Sequence, residues 1–277
     1  TDIYKAKLQD LIDQDLAYAA EASTDDPSKQ VIRFRNPNTT IVFEDAVRGE
    51  VSIDTTDFGD FVIARSMDNP LYHLTVVVDD IEMGITDVIR GEDHITSTPR
   101  QILLIDALGG TRPRYAHLPL IVGDDKKKLS KRHGATTVSG FLAQGYLPSA
   151  IVNYLALLGW NPGDERELFT LDELIAEFSL DRVQKSPAMF DYHKLDDINR
   201  QHLLALEPAY VSEQIVSFLP QDTRALFQAE PTKAERIIEH IILERIAKFG
   251  DVTAMADQGE FDYYFSQPSI DWELVCF

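Results

Sequence analysis

The sequence predicts an α/β protein: a parallel sheet with a small β-rich insertion, giving way to an all-helical second part. Three observations lead there. An apolar strand, a helix and a second apolar strand follow one another between Asp87 and Val122, the order of a parallel crossover unit. Short strand-like runs separated by Asn, Pro and Gly turns fill residues 31–66. From about residue 133 onward, apolar residues recur at helical spacing.

In order along the chain, residues 2–16 place Ile3, Leu8, Leu11, Ile12 and Leu16 near a 3.6-residue period, the mark of an amphipathic helix. Residues 22–29 are polar and read as a loop. Val31–Phe34, Thr40–Phe43, Glu50–Ile53 and Phe61–Ala64 read as the strands of an antiparallel insertion, with turns at Asn36-Pro37-Asn38 and Arg48-Gly49. Residues 72–83 fit strand or helix, and Gly84 ends them. Asp87–Gly91 is a short buried strand. Ser97-Thr98-Pro99 opens a helix, with a hydroxyl cap and an early proline, that runs to about Leu108 and stops at Gly109-Gly110. His117–Val122 is the next strand. Helices are then expected at Leu147–Leu158, after the capping box Thr170-Leu171-Asp172-Glu173, at 208–219 and at 231–249. Ser186-Pro187 opens a short segment between them.

Composition narrows the function. The chain has 277 residues, is 44% hydrophobic and contains no apolar run of membrane-spanning length. Its start lacks the basic and apolar pattern of a secretory signal. Its single cysteine, Cys276, permits neither an internal disulfide nor a cysteine zinc cluster and suits a reducing compartment. A net charge of −20 argues against simple electrostatic attraction to nucleic acid. Against that background stands one strongly basic stretch, Lys126-Lys127-Lys128-Leu129-Ser130-Lys131-Arg132.

That stretch follows an apolar strand through Gly123-Asp124-Asp125, so its cations could neutralise a polyphosphate and stabilise a leaving pyrophosphate; it could equally be a solvated basic turn. No glycine cradle precedes it, which excludes a Walker loop. Arg90-Gly91-Glu92-Asp93-His94 follows a strand directly, and ligands of open parallel sheets bind beyond the strands' carboxyl ends. There Arg90 could pair a carboxylate bidentately, and Glu92 or Asp93 could accept from a ribose or an amine; a surface ion-pair cluster is the alternative. His94 and His117 are phosphate or ribose contacts, or hydrogen-bonded structural histidines. The adjacent carboxylates Asp79 and Asp80 cannot face the same way on either a helix or a strand.

Several spaced segments carry a family likeness. Tyr72-His73-Leu74-Thr75-Val76-Val77-Val78-Asp79-Asp80 leads into Met83-Gly84-Ile85-Thr86-Asp87-Val88-Ile89-Arg90-Gly91-Glu92-Asp93-His94. Thr98-Pro99-Arg100-Gln101-Ile102-Leu103-Leu104, His117-Leu118-Pro119-Leu120-Ile121 and Lys128-Leu129-Ser130-Lys131-Arg132-His133-Gly134-Ala135 follow. Gly145-Tyr146-Leu147-Pro148, Asn153-Tyr154-Leu155-Ala156-Leu157-Leu158-Gly159-Trp160 and Ser186-Pro187-Ala188-Met189-Phe190-Asp191 extend the series. Together, in this order, they resemble the glutamyl-tRNA synthetases, class I aminoacyl-tRNA synthetases with a Rossmann-type catalytic domain.

The resemblance implies an ATP-dependent ligase of protein biosynthesis. Glutamate attacks the α-phosphorus of ATP, giving glutamyl-adenylate and pyrophosphate, and the terminal ribose of tRNA(Glu) then takes the glutamyl group. It implies Tyr72 and Arg90 as glutamate-binding residues, with Arg90 on the side-chain carboxylate. It implies Lys128 and Lys131 as the catalytic lysines, and an ATP surface of Asp93, Ile121, Lys128, Ser130, Lys131 and Arg132. ATP would come with Mg2+; no zinc and no membrane are expected, and the enzyme would be a cytoplasmic monomer. The implied layout is a helix ending the first Rossmann half (1–16), a shortened acceptor-binding insertion (17–70) and the second Rossmann half with the signature loop (71–132). A stem-contact helical domain (133–207) and the start of an anticodon-binding helical domain (208–277) complete it.

Three departures accompany the likeness. The His-x-Gly-His signature is absent, so a segment preceding Thr1 is expected to carry it, and the chain alone is expected to be inactive. The insertion is short, which puts acceptor-end contacts in question. The chain also stops inside the helices that begin anticodon recognition. The alternatives are a catalytically incomplete tRNA-binding relative, to which the missing signature would belong, and a glutaminyl-tRNA synthetase, whose loop usually reads differently. The shortened paralogue that glutamylates a modified tRNA base lacks the helices found here after residue 200.

Overall fold

Leu74, Val77 and Val78 stand at i, i+3 and i+4 and all are buried, so the ambiguous stretch after Leu71 coils into a helix in spite of its β-branched valines. The computed structural model describes residues 2–21, 30–129 and 137–266. The chain divides into two compact units, Thr1–Leu120 with Ser179–Pro187 and Ile121–Phe178 with Ala188–Phe277.

The first unit contains helices α1 (Asp2–Asp13), α2 (Tyr72–Glu82) and α3 (Thr98–Ala107) and two four-stranded sheets. One sheet, in the order β1-β2-β5-β6, is antiparallel: β1 (Ala17–Glu21), β2 (Gln30–Phe34), β5 (Phe61–Ser66) and β6 (Asn69–Pro70). The other has the order β4-β3-β8-β7 and comprises β3 (Thr40–Asp45), β4 (Gly49–Asp54), β7 (Asp87–Gly91) and β8 (Arg114–Leu118). In it β3 pairs parallel with β8, β8 pairs parallel with β7, and β4 is antiparallel to β3. The expected strand–helix–strand unit is therefore β7–α3–β8, and β4 and β7 are the sheet's edges. Ile63, Leu74, Ile102 and Leu104 are fully buried in one core, each stabilising the fold by about 1.5–3 kcal/mol.

The structure corrects three boundaries. The strands expected at 31–66 exist, but they do not form one insertion sheet: the β3–β4 hairpin joins the parallel sheet. Alternating apolar residues specify a strand and leave its partner open. The strand expected at His117–Val122 is really β8, ended by Pro119, which has no N–H to donate, and a separate β9 (Ile121–Val122). β7 is half-exposed along its length rather than buried.

In the second unit, β9 pairs parallel with β10 (Ala188–Met189). The remainder is helical: α4 (Val138–Ala143), α5 (Pro148–Leu157), α6 (Leu171–Glu177), α7 (Tyr192–Leu204), α8 (Pro208–Phe218) and α9 (Gln221–Ala229). The capping box forms as expected, with the Glu173 N–H donating to Thr170 Oγ1 at 3.3 Å and the Thr170 N–H donating to Glu173 Oε2 at 2.7 Å. The helix expected at 231–249 is interrupted: α10 (Pro231–Ile237) passes through a π-helical turn (Ile238–Ile242) into α11 (Leu243–Arg245) and stops. It stops where Ile246 turns extended, and in the turn that leads to α12 (Asp251–Asp257) Asp251 Oδ2 accepts the Ala247 and Lys248 N–H groups at 2.8 and 3.1 Å. α13 (Glu260–Phe265) is the last described element. At Gly145 (φ +87°) the chain runs backbone to backbone against Phe249-Gly250, and a Cβ there would lie 2.5 Å from the Gly250 nitrogen. Among the described residues no helix is long and apolar enough to cross a membrane.

Candidate active site

Three parallel strands end side by side in the first unit, and each carries a polar residue at or next to its last position. Asp45 is the last residue of β3, His117 the penultimate residue of β8, and Arg90 the penultimate residue of β7, in register with His117. These side chains form a continuous line. His117 Nδ1 lies 2.6 Å from Asp45 Oδ2, and Arg90 Nε donates to His117 Nε2 at 3.2 Å. The other end of the arginine is held by α3, whose first residue, Thr98, accepts from Arg90 Nη2 at 2.8 Å. The Thr98 hydroxyl is itself anchored to the His94 carbonyl at 3.1 Å.

Burial and charge fix the protonation of this line. His117 is fully buried and Asp45 only 3% exposed. Burial holds His117 below the ordinary histidine value even though Asp45 pulls the other way, with Arg90 and His94 adding to the effect. Burial alone would raise Asp45. The Arg48 N–H, the His117 ring and the His117 and Val47 N–H groups outweigh it and keep the carboxyl below the usual carboxylate range. A carboxylate can only accept, so the neutral imidazole keeps its proton on Nδ1 and presents an Nε2 lone pair to the arginine. Tyr115, stacked on His117 at 6.2 Å, is pushed up to about 12 by burial.

Around Arg90 the remaining expected residues converge in part. Tyr72, the first residue of α2, is 52% exposed and packs its ring 5.7 Å from His73 and 6.1 Å from His94. His73 is held low by burial, then by the positive charges of Arg100 and Arg90, so the starts of α2 and α3 and the end of β7 meet here. Asp93 folds back over Gly91, where a Cβ would lie 2.5 Å from its Oδ1. Glu92 turns the other way, accepting the Leu120 N–H at 3.0 Å and pairing with Arg48. Asp79 and Asp80 do diverge: Asp79 accepts from Tyr4 at 2.7 Å, whereas burial raises Asp80, which feels Arg90.

The basic stretch begins in the second unit as a tight hairpin. Gly123 donates to the Lys127 carbonyl at 2.9 Å, Lys126 takes φ +58°, and Val122 and Lys128 form an antiparallel bridge. The hairpin exposes Lys126, Lys127 and Lys128. The Ile121 carbonyl accepts from Leu129 and the Val122 carbonyl from Phe190. Ser130, Lys131 and Arg132 lie outside the described residues, as does the loop 22–29. Among the described residues no group of His, Cys, Asp or Glu forms a metal-ligand set.

The family model of the tRNA synthetases class I (E and Q), catalytic domain, matches residues 4–197, most of both the sheet-bearing unit and the hairpin region. The chain belongs to the class I tRNA synthetases of the E and Q group. It is 56% identical over 176 residues to a glutamate–tRNA ligase of Heliobacterium modesticaldum, covering 63% of this chain and 36% of that protein. A glutamate–tRNA ligase of Carboxydothermus hydrogenoformans is 51% identical over 191 residues, with 69% of this chain and 40% of that protein covered. In structure, the synthetase chain is similar to a glutamate–tRNA ligase of Elizabethkingia meningosepticum solved with its amino acid. The TM-score is 0.77 at 28% identity, over 94% of this chain and 62% of the other. The chain spans well under half the length of the first two relatives.

Two residues of this candidate site are not legible as such in the sequence. Asp45 lies beyond the strand expected at Thr40–Phe43 and carries no signal of its own, and Thr98 reads only as part of a helix start. Ser97 makes no side-chain cap bond; the hydroxyl that matters is that of Thr98, turned to Arg90. The threonine directly before Pro99 was the available signal, taken for capping.

Proposed function

We propose that this chain carries the second half of the catalytic machinery of a glutamate–tRNA ligase, an ATP-dependent enzyme that forms glutamyl-adenylate and transfers the glutamyl group to tRNA(Glu). The observation that carries the reading is the Arg90 guanidinium at the carboxyl ends of parallel strands, held by His117 and Thr98. Of its five N–H donors, two are engaged by described residues, on the Nε–Nη2 edge. The terminal Nη1–Nη2 edge is thus left to meet a carboxylate in the two-pronged geometry that suits glutamate and not its amide.

The remaining roles follow from residue chemistry. Asp93, just past the strand end, suits hydrogen bonds from the ribose hydroxyls of ATP, and the backbone near Ile121 is assigned to the ATP surface. Lys128 and Lys131, with Ser130 and Arg132, stabilise charge gathering on the β- and γ-phosphates as pyrophosphate leaves. Magnesium would accompany the triphosphate, held largely by its oxygens and by water. Neither step needs a protein nucleophile; both need reactants held in place. The single cysteine suits a cytoplasmic enzyme, and the reading takes it as a monomer. The test is ATP–pyrophosphate exchange, with tRNA present, by the protein as its gene encodes it. Exchange should depend on glutamate; exchange driven by glutamine instead, or none with either, overturns the proposal.

A further inference from the structure

We infer that Asp45, His117 and Thr98 are positioning residues that set the Arg90 guanidinium for an acidic amino acid without touching that ligand themselves. The inference rests on the reading of Arg90 as the partner of the glutamate carboxylate. An arginine side chain has several freely turning bonds, and a two-pronged carboxylate contact requires the plane of its fork to be fixed beforehand. Here, among the described residues, it is fixed from one edge. His117 Nε2 takes the Nε–H at 3.2 Å and Thr98 Oγ1 takes an Nη2–H at 2.8 Å, both on the same side of the guanidinium. The opposite Nη1 and the second Nη2 hydrogen form the terminal fork.

Asp45 makes this arrangement dependable. Its Oδ1 accepts the Val47 and Arg48 N–H groups at 3.0 and 2.9 Å, and its Oδ2 lies 2.6 Å from His117 Nδ1. A carboxylate clamped by backbone N–H groups cannot turn away, and it demands a proton on Nδ1. That demand leaves Nε2 as an acceptor for the arginine. An asparagine at 45 could offer its amide N–H to Nδ1 instead, which would move the imidazole proton to Nε2 and set two N–H donors against each other. Thr98 and His117 are both fully buried, so bulk water is not at hand to replace either acceptor.

The test uses Thr98→Val, Thr98→Ser and Asp45→Asn in the protein as its gene encodes it. It follows glutamate-dependent ATP–pyrophosphate exchange with tRNA and reads KM for glutamate and for ATP separately. Thr98→Val keeps the shape and removes the acceptor; Thr98→Ser keeps the acceptor. Thr98→Val and Asp45→Asn should raise the glutamate KM by about tenfold or more while the ATP KM stays within about twofold, and Thr98→Ser should return close to the parent. If Asp45→Asn does not fold, the threonine pair decides alone. Parallel loss of both KM values, or Thr98→Ser as impaired as Thr98→Val, overturns the inference. Arg90→Ala separates it from the reading beneath. An unchanged glutamate KM in that variant removes the role of Arg90 altogether. A raised one alongside a normal Thr98→Val removes only the positioning.

Discussion

Replacing Arg90 by lysine retains the charge and discards the fork. In the native site the guanidinium spans two acceptors, His117 Nε2 at 3.2 Å and Thr98 Oγ1 at 2.8 Å, and still presents a free terminal edge. A lysine ammonium is a single point at the end of a flexible stem. It can satisfy one of those acceptors or reach the ligand, and it cannot pair both carboxylate oxygens in one plane. Loss of one charge-assisted bond costs about 1.5–3 kcal/mol, equivalent to about a 10- to 150-fold fall in kcat/KM for glutamate. The assay is pyrophosphate exchange with glutamate and ATP varied in turn. The fall should appear in the glutamate dependence, with the ATP dependence little changed. A glutamate KM within about twofold of the parent would show that Arg90 does not grip the substrate carboxylate.

Acid should weaken the protein in two stages. His117, His73 and His202 are all held low by burial, so the unfolded chain takes up their protons first. Stability therefore declines as pH falls below about 6.5 toward their lowered values. Asp45, also held low, adds a second loss below about pH 4. Denaturant melts from pH 8 to 3 test this, and a flat stability between pH 7 and 5 would refute the histidine stage. Lys131→Ala should slow adenylate formation by about tenfold or more while the glutamate KM stays put; unchanged exchange with tRNA present would remove Lys131 from the phosphate site. Gly145→Ala should destabilise by about 1–3 kcal/mol, because a Cβ would meet the Gly250 nitrogen at 2.5 Å from a positive-φ residue; an unshifted melting temperature would contradict that.

Several of the candidate residues stand out in the sequence because their signals are local. Arg90 follows an apolar run and precedes a turn, and the basic run stands out in an acidic chain. Capping at Thr170 needs only a residue and its neighbour three positions on, so it was visible too. What stayed hidden depends on distance in sequence. Asp45 meets His117 across 72 positions, and no local pattern reports that meeting. The same reason explains the β3–β4 hairpin, whose alternation specifies a strand but not the parallel neighbour it joins. Residues 72–83 stayed undecided because a run of valines suits either state until burial of Leu74, Val77 and Val78 chooses helix.

The arginine-bearing strand β7 is also an outermost strand of its sheet, with Ile89 53% exposed. Among the described residues no strand pairs with its outer flank, whose main-chain groups could accept a foreign strand, the ordinary beginning of aggregation. An aggregation-prone edge of this polypeptide therefore lies one residue away from Arg90, the side chain proposed to recognise the acidic amino acid.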